Sequence, residues 1–191
     1  MVKRKRKVKR LLTALVVLLI VSAAAVYSLY TAVKTIYPMK YSGLISEYSE
    51  KYNLDPYLVT AVINTESNFK PDAVSHANAM GLMQISAKTG KWAAGKLKMK
   101  SYGSDDLFDP ETNIQIGCWY LSTLYEEFGD MDLALASYNG GIGNVSQWLR
   151  DKSLSPDGKT LARIPFPETE QYVKKVKKNY LVYKRLYENE F

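Results

Sequence analysis

The stretch DPETNIQIGCWYLSTLYEEFG, residues 109–129, decides the fold class. Its apolar and small positions, Ile114, Gly117, Cys118, Leu121, Leu124, Tyr125 and Phe128, recur at three- and four-residue steps and so share one stripe of a helix. Asp109 supplies the N-cap, Pro110 stands at the first helical position, and Gly129 closes the run. One long apolar stripe must be buried against neighbours. Gly117 and Cys118 are small, which suits close approach of another helix, and Cys118 reads as a core filler rather than a nucleophile.

The pattern extends outward on both sides. Tyr41, Leu44, Ile45, Tyr48 and Tyr52 follow helix-face spacing and end near Asn53, and Asp55-Pro56 repeats the cap-and-proline device to open a second helix. Asp130 caps a shorter helix through Leu133 and Tyr138, stopped by Asn139-Gly140-Gly141. Residues 142–150 give another turn or two, and residues 151–167 read as a loop ending in Pro165 and Pro167. A last helix from Glu168 carries Tyr172, Val173, Val176, Tyr180, Tyr183 and Tyr187. There is no sustained period-two alternation and no internal repeat, so this part of the chain is all-α.

The chain has 191 residues and a formal net charge of +7. Seven of its 26 basic residues fall in MVKRKRKVKR, residues 1–10, which leaves 19 bases against 19 acids in the remainder. The part long enough to fold is therefore balanced, which excludes a domain that holds nucleic acid through overall basicity. One Cys cannot close an intrachain disulfide, and one Cys with one His cannot assemble a conventional zinc site. No metal and no cofactor is expected.

Residues 11–33, LLTALVVLLIVSAAAVYSLYTAV, contain no charge. At about 1.5 Å per residue such a run can cross a hydrocarbon core of roughly 30 Å as one helix. The seven bases before it belong on the cytoplasmic side, and Tyr27 and Tyr30 fall where an outer aromatic belt lies. The competing reading is a cleaved secretory signal, with Ser22, Ala23, Ala24 and Ala25 as the peptidase site. Both readings export the domain, one as a single-pass membrane protein and the other as a protein cleaved near Ala25. The expected organisation is a basic tail (1–10), a transmembrane signal-anchor helix (11–33), a linker (34–40), the domain (41–187) and a short C-terminal tail (188–191).

Glu66 is the most informative single residue. It lies seven, four and three positions after Val59, Val62 and Ile63, which places a carboxyl on the apolar stripe of its helix. Desolvation there raises the pKa, which suits a general acid near neutral pH; the alternative is a structural Glu tied to a core cation or to backbone amides. Asp105-Asp106 reads as a polar loop and Asp109 as a cap, and nothing marks any of these, or Asp72, as a partner at a defined spacing from Glu66. His76 reads as a solvated loop residue, and Lys174, Lys175, Lys177 and Lys178 as a solvated helix face.

Glu66-Ser67 after an apolar helix, Gly81-Leu82-Met83-Gln84-Ile85, Asn113-Ile114, Ala136-Ser137-Tyr138-Asn139-Gly140-Gly141 and Tyr172-Val173 together resemble the soluble-type lytic transglycosylase (SLT) domain. The resemblance runs from about Tyr41 to about Tyr187. It implies a goose-lysozyme-like helical fold that cleaves peptidoglycan glycan strands. It makes Glu66 the sole catalytic acid and base, with Ser75, Met83 and Gln84 lining the groove, Tyr138 and Asn139 shaping the site across it, and Tyr172 placing its phenol near the carboxyl. One departure stands out: Asn78 occupies a position where the family usually has glycine, and Asn is the residue that best tolerates a left-handed backbone in its place.

The resemblance implies cleavage of the bond from N-acetylmuramic acid to N-acetylglucosamine without water, leaving a 1,6-anhydro end. The alternatives are a hydrolytic muramidase of the same fold and a non-catalytic wall-binding scaffold. The expected partners are glycan strands and the membrane; protein partners are not indicated.

Overall fold

The computed structural model describes residues 2–191, with the side chains of residues 6, 7 and 9–191. Met1, at the start of the basic tail, lies outside the described residues. The chain divides into a unit ending at Pro38 and a second unit, Met39–Phe191.

The first unit is a helix of 35 residues, α1 (Val2–Ile36). Within it Lys9–Ile36 forms an exposed span of 28 residues whose most apolar 18-residue stretch has a mean hydropathy of 2.4, long enough to cross a bilayer by length and composition. The basic tail continues the same helix without a break at residue 10, because Lys and Arg are themselves good helix formers.

The second unit holds α2 (Ser42–Lys51), α3 (Pro56–Ser67), a two-stranded hairpin of β1 (Ala79–Met80) and β2 (Ile85–Ser86), α4 (Ala87–Lys96), a 3-10 turn at Ser104–Phe108, α5 (Pro110–Phe128), α6 (Met131–Gly140), α7 (Ile142–Arg150) and α8 (Pro167–Leu186). Three aspartates start helices as the sequence predicts. Asp55 Oδ1 accepts from the Tyr57 N–H at 2.8 Å, Asp109 Oδ2 from Thr112 at 2.8 Å, and Asp130 Oδ1 from Leu133 at 2.9 Å. Gly129 ends α5 at φ 64°, a conformation glycine adopts without steric cost.

The core is formed where α3 lies along α8 and α5 lies between α2 and α6, with Val59, Val62, Ile63, Ile114, Ile116, Leu121, Ala134, Leu135, Val176 and Tyr183 fully enclosed. Four features differ from the sequence expectation. Residues 87–96 form α4, which shows no apolar face in sequence because its buried stripe is only Gly90, Ala93 and Ala94. The hairpin pairs Ala79 with Ser86 and Met80 with Ile85, and two-residue strands are too short to produce an alternation. Pro167 opens α8 at its first position instead of closing the preceding loop. Gly117 admits the side chain of Met83, from the segment between the strands, rather than a neighbouring helix.

Candidate active site

The hairpin is held against the start of α5 by one buried side chain. Asn113 Oδ1 accepts from the Met83 N–H at 2.7 Å, while Nδ2 donates to the carbonyls of Met80 at 2.9 Å and Leu107 at 2.7 Å. Gly81 sits directly over this clamp at φ 77°, where a Cβ would collide with the Leu107 carbonyl and the Asn113 amide. Glycine is required there both for its backbone conformation and for its lack of a side chain. Asn78 takes φ 57° as the resemblance implies, and the turn before it closes through Asn78 N–H to the Ser75 carbonyl at 2.9 Å.

Glu66 occupies the last turn of α3. The next residue, Ser67, donates its hydroxyl to the Leu82 carbonyl at 2.8 Å and so ties that turn to the hairpin. Ser67 therefore supports the site. Although Glu66 keeps some exposed area, burial raises its pKa to about 7, against weaker downward pulls from the Tyr172 hydroxyl and the Lys175 cation.

Two tyrosines face the same carboxyl. Tyr138 on α6 donates to the Met83 carbonyl at 2.8 Å. Its pKa is pushed up by burial first and then by Glu66, and Tyr172 on α8 shows the same order of causes. The Tyr172 hydroxyl bears on Glu66 without full hydrogen-bond geometry and has no other hydrogen-bond partner. Three helices and the hairpin thus converge on one carboxyl.

Tyr138 also forms part of the wall of a cleft of about 320 Å³, with Gln84, Thr89, Tyr120 and Asn139 among others; neither Glu66 nor Tyr172 is on that wall. Gln84, at φ 50°, commits its amide nitrogen to the carbonyls of Gly81 at 2.8 Å and Ala73 at 3.1 Å, which leaves its oxygen for a ligand. The structure corrects one expected groove residue. The Met83 side chain is fully enclosed against Gly117 and contributes only its backbone, bonded on both sides to Asn113 and Tyr138. Ser75 is exposed, next to the cleft residues Ala77 and Ala79, and accepts from the Ala79 N–H at 3.1 Å to close the turn.

Sequence reasoning missed Tyr120. It is seven residues after Asn113 and three after Gly117, on the face of α5 that turns toward the hairpin, and that register was the available signal.

A larger hollow of about 470 Å³ lies elsewhere, between α6, α8 and the loop before α8. It holds none of these site residues, and its rim is crossed by ion pairs of Lys177 with Asp132 at 2.6 Å and Lys174 with Glu170 at 2.7 Å. Cys118 is fully buried, and burial pushes its thiol far above the ordinary range, which leaves it unreactive as a nucleophile. Among the described residues no group of three His, Cys, Asp or Glu is placed to hold a metal. The chemistry this arrangement can perform is proton transfer at a carboxyl that changes charge near neutral pH.

Residues 43–159 match the transglycosylase SLT domain. The chain is 35% identical over 143 residues to the soluble lytic murein transglycosylase of Salmonella typhimurium, covering 73% of this chain and 22% of that protein. It is 36% identical over 172 residues to the membrane-bound lytic murein transglycosylase C of Cronobacter sakazakii, covering 76% of this chain and 47% of that one. The chain thus spans less than half the length of these relatives. Among solved structures, the 70 kDa soluble lytic transglycosylase of Escherichia coli superposes with a TM-score of 0.71 at 30% identity over 81% of this chain and 25% of that chain. An inactive mutant of lytic transglycosylase Slt from Pseudomonas aeruginosa gives 0.70 at 31% identity, over 80% of this chain and 25% of that one. With this match over most of the second unit, and with the convergence of α3, α6, α8 and the hairpin on Glu66, the chain belongs to the transglycosylase SLT domain family.

Proposed function

We propose that this chain is a membrane-anchored lytic transglycosylase that cuts peptidoglycan glycan strands with Glu66 as its single acid and base. The observation that carries the reading is the environment of Glu66. Burial holds it at a pKa of about 7, the charge acting on it is the cation Lys175, and the hydroxyls of Tyr138 and Tyr172 flank it. A glycosidase that adds water by the usual route pairs two carboxyls across the bond. The groups that shift Glu66 are the Tyr172 hydroxyl and the Lys175 cation, which suits a single carboxyl.

In this mechanism protonated Glu66 donates to the glycosidic oxygen between N-acetylmuramic acid and N-acetylglucosamine as positive charge develops at C1. The bond breaks, and the leaving sugar keeps the proton. The Glu66 carboxylate then takes the proton from the muramoyl C6 hydroxyl while that oxygen attacks C1. A 1,6-anhydro ring closes, Glu66 is protonated again, and no water is consumed. The Tyr172 hydroxyl, which has no other partner, is available to donate to the carboxylate in the interval when it is charged. Gln84 and Asn139 offer polar groups to sugar hydroxyls and amides in the cleft.

In the same reading residues 11–33, within the span Lys9–Ile36, are the anchor, the basic tail keeps the N-terminus in the cytoplasm, and the domain stands on the outer side of the membrane. Mass spectrometry of the fragments released from purified peptidoglycan tests the chemistry. Anhydro-ended fragments, lighter by one water than reducing-end fragments, are expected. Reducing ends alone would make the chain a muramidase, and no fragments at all a binding protein. Protease added outside intact cells tests the topology: loss of the domain with α1 retained in the membrane is expected. Release of a soluble domain starting near Ala25 would replace the anchor with a cleaved signal.

A further inference from the structure

The rings that line the cleft do not stop at its edge. Tyr138 and Tyr120 lie with centroids 5.4 Å apart, the ring of Tyr120 meets Trp92 edge-on at 6.1 Å, and Trp92 meets Trp119 at 4.9 Å with planes inclined by 60°. Thr89, on the cleft wall, is one turn before Trp92 on α4. An aromatic path therefore leads from the residues beside Glu66 out to the surface of α4.

Packing of α4 does not call for an indole at this place. The helix buries Gly90, Ala93 and Ala94, a narrow stripe of small residues, and Trp92 falls off that stripe with 45% of its surface exposed. Leaving this much indole in water forgoes the stabilisation that burial would bring. Lys88 and Lys96 stand four residues to either side of Trp92, on the same helix face, and α4 carries no acidic residue. Aromatic faces suit the C–H faces of sugar rings, and flanking ammonium groups suit carboxylate substituents.

We infer that Trp92 and Trp119, flanked by Lys88 and Lys96, form an outer subsite that stacks on a sugar ring of an acidic glycan strand whose scissile bond lies at Glu66. The inference rests on the glycan-cleaving reading and adds to it the direction in which the strand leaves the cleft. The subsite discriminates by strand length: a long strand reaches the indoles, and a disaccharide held beside Glu66 does not.

Calorimetric titration of the full chain in detergent micelles, carrying Glu66→Gln to stop turnover, tests this. The probes are peptide-free glycan strands and the corresponding disaccharide. Trp92→Ala is expected to weaken long-strand binding about tenfold, the equivalent of about 1.4 kcal/mol, while disaccharide binding stays unchanged and Trp92→Phe restores most of the loss. Unchanged long-strand binding in Trp92→Ala overturns the subsite, and so does an equal loss for both probes. A loss confined to binding of anionic lipid vesicles overturns it as well and makes the indoles a membrane contact. If the chain without substitutions forms anhydro ends while Trp92→Ala binds long strands normally, only the subsite fails. If the unsubstituted chain neither cuts nor binds the strands, the underlying function fails and takes the subsite with it.

Discussion

The buried phenol of Tyr172 on α8 faces the carboxyl of Glu66 on α3, and it is the group that most strongly offsets the effect of burial on that carboxyl. The two residues meet because α3 and α8 form the most extensive helix contact in the domain. A buried hydroxyl without a partner costs on the order of 1–3 kcal/mol. Tyr172 bears that cost at the place where, in the proposed mechanism, a carboxylate forms and is neutralised again. The unmet hydrogen bond is an available donor for charged Glu66.

Glu66→Gln keeps the shape and removes the proton. Cleavage of purified peptidoglycan should fall by at least about 10²–10⁴-fold, the usual contribution of a general acid or base. Binding of undigested strands should persist. Near-normal release of fragments would show that another group donates the proton.

The pH profile should reveal the raised pKa directly. Because the proposed first step needs protonated Glu66, kcat/KM should decline as pH rises through about 7. Tyr172→Phe removes the hydroxyl that pulls this pKa down, so the alkaline limb should move to higher pH. An unmoved limb would mean that Tyr172 does not act on the carboxyl.

Stability should respond with a definite sign. The Glu66 pKa in the folded state is raised, so its contribution is fully present below its ordinary value of 4.5 and is lost as pH rises through about 7. Glu66→Gln should therefore be more stable than the unsubstituted domain at pH above 7, by at most about 3 kcal/mol. At about 2–4 °C per kcal/mol this is a rise of several degrees in Tm by scanning calorimetry. The two should melt together at pH 4. Equal melting at both pH values would show that Glu66 is solvated.

The hairpin depends on Asn113. Asn113→Ala leaves the Met83 N–H and two carbonyls unpaired in the interior, at a cost of about 3 kcal/mol or more. Gly81→Ala should match it, since the added Cβ meets the same amide and the Leu107 carbonyl. Chemical denaturation should show both losses, with activity falling further because Met83 and Gln84 shift. Asn78→Gly, at φ 57°, should leave the midpoint within a few tenths of a kcal/mol.

Much of the fold was legible along the chain because its signals are local. The Asp-Pro pairs at 55–56 and 109–110, the Asp130 cap and the Gly129 stop act within a few residues of themselves, and all four stand where the sequence places them. Glu66 could be singled out for the same reason, since a carboxyl three, four and seven residues after apolar positions is visible without a partner. Met83 could not be placed this way. An exposed and a buried methionine look alike in a segment with no periodicity, and its enclosure depends on Gly117, which is distant in sequence.

By itself the sequence determined the helices other than α4, three aspartate caps, the apolar span of α1 and the position of one unusual carboxyl, because periodicity and capping are properties of neighbouring residues. Only the tertiary structure decided which groups face that carboxyl, that Asn113 clamps the hairpin, and that Tyr138, Tyr120, Trp92 and Trp119 form a continuous path. Those relations join α3, α4, α5, α6 and α8, and they arise from long-range packing of side chains whose local spacing says only that they lie on helices.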